Sequence, residues 1–158
     1  MKVRNGFVSN SSSSSFLIYG YAIDNNQARD IIEEYIKYEP DKMKEVFGEF
    51  NKDNLNTTDE MISTIDNIGV GTLTRTLEEE GIFPFITFFD NWSDEDVIFI
   101  GKTLGRGDSE LYVSYPNLME GIKNTEKEIM EGLSKVDLME KEVGLKDIGL
   151  HVYSYYDG

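Results

Sequence analysis

A chain of 158 residues carries thirty acids against fifteen bases, a formal charge of −15, with 39% hydrophobic residues, 12% aromatics and no cysteine. The apolar content is enough for one core and argues against global disorder. The missing cysteine excludes disulfides, thiol nucleophiles and Cys-ligated metals and fits a reducing compartment. No run approaches the roughly twenty apolar residues of a membrane span, so no membrane is expected. The run Phe16–Ile23 contains Gly20 and lacks a small-residue cleavage site, which argues against a secretory signal, and Lys2 excludes N-myristoylation.

In chain order, Phe16–Ile23 reads as a strand that ends at a helix cap in Asp24-Asn25-Asn26. From Gln27, the apolar positions Ala28, Ile31, Ile32, Tyr35 and Ile36 recur at helical spacing until Pro40 stops them. Asp41–Phe50 reads as a second short helix. Thr57-Thr58-Asp59-Glu60 is a capping box that opens a third helix, ended by Gly69 after Ile68. Gly69–Thr72 reads as a turn, with a short helix over Leu73–Glu80. Ile82–Phe89, with Pro84 inside, suits an edge strand or one that begins after the proline.

Asp90–Asp94 reads as a turn, Val97–Ile100 as a buried strand, Gly101–Asp108 as a loop, and Leu111–Tyr115 as a strand paired with the previous one in a hairpin. A long amphipathic helix follows from about Leu118 to Glu140, burying Ile122, Ile129, Leu133 and Val136. His151–Tyr156 is a terminal strand. With no repeat and no linker, the expectation is a single α+β domain over residues 1–158, a mainly antiparallel sheet packed against helices, with residues 1–16 as a Ser-rich leading segment.

That segment is the most distinctive part of the sequence. Ser11, Ser12, Ser13, Ser14 and Ser15 lie between two apolar anchors, Phe7-Val8 and Phe16-Leu17-Ile18. Large hydrophobes at both ends gain free energy only when buried, so the serines are expected to be fixed, with Phe7, Val8, Phe16 and Leu17 largely buried. The string through Arg4, Gly6, Phe7, Ser9, Asn10, Ser11–Ser15 and Phe16 resembles a signature, "R-x-G-F-V-S-N-S-S-S-S-S-F", of uncharacterised proteins from tailed phages and prophage-bearing bacteria. The resemblance covers about a tenth of the chain. It implies a phage or prophage source, hence the host cytoplasm or the virion, and assigns no activity.

The charge is concentrated. Between Asp53 and Ile100 stand eleven acids and one base, Arg75, so this stretch holds −10 of the −15. Contact with nucleic-acid backbone requires cations and is not expected, whereas a basic protein surface is a fitting partner. Glu78, Glu79, Glu80, Asp90, Asp94, Glu95 and Asp96 are the candidate partner-binding residues, expected on one exposed face.

Motifs for chemistry are thin. Ile100-Gly101-Lys102-Thr103 follows a strand like the end of a phosphate-binding loop, but Asp96 stands where the first glycine belongs. Lys102 and Arg106 are the cations that would meet a small anion there. An EF-hand beginning at Asp90 fails at Trp92 and Glu95. His151 is the single histidine and no Gly-x-Ser-x-Gly elbow exists, so no catalytic residue, metal or cofactor is singled out.

Two functional readings follow. The first is a non-catalytic acidic phage or prophage accessory protein that binds a basic host protein and inhibits a nucleic-acid-binding defence enzyme. The second is a small-ligand or nucleotide-binding domain built from the Ser tract and the Gly101–Gly107 loop, with a virion component as a further alternative.

Overall fold

The computed structural model describes residues 2–4, 13–50, 56–90, 95–107, 110–112, 115–135 and 148–156. The element order is β1 (Lys2–Arg4), β2 (Ser13–Ile23), α1 (Asn25–Tyr38), α2 (Pro40–Gly48), α3 (Thr58–Ile68), α4 (Val70–Glu79), β3 (Phe85–Asp90), β4 (Glu95–Gly107), β5 (Glu110–Tyr112), α5 (Tyr115–Lys135) and β6 (Gly149–Tyr156). The fold is α+β: an antiparallel four-stranded sheet, order β3-β4-β2-β6, with helices packed on it, and a separate two-stranded ladder of β1 and β5. Among the described residues no helix is long and apolar enough to cross a membrane.

Local chemistry sets the helix ends. The Asp24 side chain accepts from the Gln27 backbone N–H at 2.7 Å, and the Gln27 side chain accepts from the Asp24 N–H at 3.0 Å, which starts α1. Thr57 and Glu60 form the same reciprocal box at the start of α3. Thr57→Ala is therefore expected to lower stability by about 1 kcal/mol, read from the urea midpoint at unchanged slope. An unchanged midpoint would mean that the cap is redundant.

Periodicity places the core. Ala28, Ile31, Ile32, Tyr35 and Ile36 of α1, Met43, Val46 and Phe47 of α2, and Met61 and Ile65 of α3 are buried with Leu73 and Leu77 of α4 and Ile129 and Leu133 of α5. They pack against Tyr21, Ile23, Phe85, Ile98 and Ile100 on one face of the sheet. Ile122 is partly buried, in a smaller cluster with Leu17, Leu104 and Leu118, while Val136 lies outside the described residues.

The other face is curled on itself. Phe16, Phe88, Phe99, His151 and Tyr153 point away from the helices by strand alternation and touch one another, the rings of Phe88 and Tyr153 stacking at 4.5 Å and 28°. Those two rings come from β3 and β6, the opposite edges of the sheet. Three strand spacings would hold the edges of a flat sheet about 14 Å apart, so the sheet is strongly coiled.

The coil is permitted by a glycine pair. Gly20 and Gly101 face each other in the β2–β4 register. A Cβ on Gly20 would overlap the Ile100 carbonyl, and one on Gly101 would overlap that of Tyr19.

Several expectations need correction. Gly101–Asp108 is not a loop, since β4 continues through Gly107: its glycines serve the close crossing and a bulge, where Leu104 is the extra residue opposite Leu17 and Ile18. Gly69–Thr72 is not a turn of several residues. Gly69 alone, at φ 103°, ends α3 and starts α4. Leu111–Tyr115 does not form a hairpin with β4 or join the main sheet. The strand is Glu110–Tyr112 and pairs with Lys2–Arg4, a segment too short to show any alternation. Tyr115 opens α5, just before Pro116, where a missing N–H costs nothing.

The serine tract is partly covered by the described residues. Ser13, Ser14 and Ser15 begin β2, in register with Tyr156, Tyr155 and Ser154 of β6. Ser15 is fully buried, its Oγ 3.2 Å from the Ser154 Oγ, and Leu17 is buried while Phe16 is half-buried. Gly6, Phe7, Val8, Ser9, Asn10, Ser11 and Ser12 lie outside the described residues; Arg4 lies in β1, opposite Glu110.

Candidate functional site

The acids of the middle segment have different duties. Glu60 closes the α3 cap, and Asp66 pairs with Arg29, which also holds Glu33 at 3.2 Å, so that α3 is tied to α1. These two are structural. The candidate binding acids fall into two groups at opposite ends of α4, about 13 Å apart by the helical rise.

At the first end, Asp90 and Glu95 are register partners in the β3–β4 ladder, next to Asp96. Glu95 is exposed, whereas Asp96 is half-buried with its carboxylate over the Cα of Gly71, in the first turn of α4. Gly71 leaves the room that a Cβ would fill. The Gly69 cap has no side chain to offer, so Asp96 supplies the negative charge that a helix N-terminus favours. Above this turn the Thr74 hydroxyl donates to the Gly71 carbonyl at 3.0 Å and accepts from Thr87 of β3 at 2.7 Å. Asp94 lies outside the described residues.

At the second end, Glu78, Glu79 and Glu80 are exposed on the last turn of α4, which contains no base. A helix C-terminus carries partial negative charge, so three carboxylates there repel both it and one another. Partial burial pushes the Glu78 carboxyl above its ordinary range; the neighbouring Glu79 adds to the rise and Arg75 opposes it. Among the described residues no ion pair reaches Glu78, Glu79 or Glu80.

Glu78 also borders a cleft of about 310 Å³, lined by Gly81, Ile82, Phe83 and Pro84 on one side and by Glu128, Glu131 and Gly132 of α5 on the other. Gly132 lets α5 approach closely: a Cβ there would stand 3.1 Å from the Phe83 ring and 3.6 Å from Pro84. The result is an apolar floor with a three-carboxylate rim. Glu128 and Glu131 were not among the residues expected from sequence. The signal for them is Gly132 itself, because a glycine within a helical pattern marks close packing.

The remaining sequence candidates do not converge. Lys102 is exposed on β4 opposite Tyr19, and Arg106 lies four residues further along the same strand, about 13 Å away by strand rise. His151 Nε2 lies 3.1 Å from the Gly20 carbonyl, a hydrogen bond that places the proton on Nε2, and the ring is 5.6 Å from Phe99. That is a packed strand histidine. Among the described residues no group of His, Asp or Glu is arranged to hold a metal ion.

Two tyrosines are held neutral. The Tyr19 hydroxyl donates to Glu126 Oε1 at 2.5 Å, and its pKa is pushed up to about 12, first by burial and then by this bond to a carboxylate. Tyr35, buried and donating to the Ile82 carbonyl at 3.3 Å, is likewise pushed up to about 12, chiefly by burial. A folded pKa above the unfolded value near 10 means that the native state holds the proton more tightly. Stability from these groups is complete below pH about 10 and is lost as the pH rises toward 12. Ultraviolet titration should show Tyr19 and Tyr35 lagging behind the ordinary tyrosine range, and Glu126→Gln should bring Tyr19 forward. A single transition near pH 10 for all nine tyrosines would refute this.

Comparison with protein-family models, curated proteins and solved structures finds no match to this chain.

Proposed function

We propose that the protein is a non-catalytic accessory protein of a phage or prophage that sets an acidic surface on a basic surface of a host protein. A nucleic-acid-binding defence enzyme is the fitting target, because its cleft is built for phosphates and a row of carboxylates presents a similar field. The observation that carries the reading is the Glu78-Glu79-Glu80 run. It stands where the helix dipole and mutual repulsion both disfavour it, and Arg75, one turn earlier, offsets this only in part at Glu78. Natural sequences tend to break local rules where function requires it. The cleft rimmed by Glu78, Glu128 and Glu131 offers this surface a recessed place for a cationic side chain, with apolar contact for its stem.

The nucleotide-binding alternative has less support. The segment from Gly101 to Gly107 is strand paired along one edge with β2 rather than a loop that could wrap an anion, and Lys102 and Arg106 stand four residues apart along it.

The test uses the triple variant Glu78→Gln, Glu79→Gln, Glu80→Gln. Asp96 is left intact because of its place against α4. Host lysate passed over the wild type at low salt should yield a basic protein that is released at high salt, since exposed charges are screened over about 8 Å at physiological ionic strength. With that protein purified, the variant should associate about tenfold more slowly at low salt, with a smaller change in dissociation. The same substitutions should leave stability equal or raise it by up to about 0.5 kcal/mol, the exposed charges being largely screened. Binding indifferent to salt and to the variant would reduce the acidity to a solubilising role.

A further inference from the structure

We draw no further inference here: the strongest candidate, the outer edge of β6 where Leu150 and Val152 stand half exposed, is an apolar sheet edge for which nothing in the structure shows what covers it.

Discussion

Gly20→Ala is expected to cost about 3 kcal/mol or more, enough to leave much of the chain unfolded at ordinary temperature. The new methyl would meet the Ile100 carbonyl and the Gly101 Cα, which are backbone atoms of a central strand with strands on both sides. No side-chain rotation relieves such a contact. Either β2 and β4 separate, losing ladder hydrogen bonds on both sides of Gly20, or the sheet flattens and pulls Phe88 away from Tyr153. The φ of 154° at Gly20 adds backbone strain for any L side chain. Gly101→Ala should behave alike, since the clash is reciprocal against the Tyr19 carbonyl. Gly48→Ala provides the contrast: it closes α2 with nothing within 4 Å of the added carbon and should raise stability by about 0.5 kcal/mol. Urea unfolding of the three variants decides the matter, and a Gly20→Ala midpoint close to wild type would show that the strands are not crossed as tightly as described.

The same glycines show which parts of the fold were legible. Elements announced by local chemistry stand where the sequence puts them: α1 between its Asp24 cap and Pro40, α3 between Thr57 and Gly69, and β3 beginning after Pro84. Those signals act within one turn or one strand. Gly101, Gly105 and Gly107 misled because glycine marks a loop when judged locally, and the use of Gly101 depends on Gly20, some eighty residues earlier in the chain. Gly71 misled similarly, since the reason for its missing Cβ is the Asp96 carboxylate on another element. The pairing of β5 with β1 rests on a three-residue partner that carries no period at all.

The candidate site divides along the same line. Glu78, Glu79 and Glu80 were visible as a charge run. The company of Glu78 with Glu128 and Glu131 depends on how α5 lies over Phe83, and a one-dimensional pattern does not hold that information. Nor does charge alone separate Glu60 and Asp66, which are occupied in a cap and an ion pair, from the acids at the end of α4, which no ion pair reaches among the described residues.

Phe83→Ala is the second large effect, with an expected loss of about 3 to 5 kcal/mol. Phe83 follows α4 with 2% of its surface exposed, and its ring is the plug where three elements meet. It packs edge-on against Tyr35 of α1 at 5.5 Å, tilts against Phe85 of β3 at 4.6 Å, and fills the space left by Gly132 of α5. Truncation removes the buried ring and leaves a void that helices already tied to the sheet cannot collapse around. Phe89→Ala, on the same stretch but 42% exposed, should cost no more than about 1 kcal/mol. A double-mutant cycle ties the loss to this contact. Gly132→Ala alone crowds the Phe83 ring and should destabilise, whereas in the Phe83→Ala background the same methyl occupies part of the void. The two changes should therefore be non-additive by about 0.5 to 3 kcal/mol, the double variant being more stable than the sum predicts. Strict additivity would mean that α5 does not rest on Phe83, and the cleft between Glu78 and Glu131 would lose its floor.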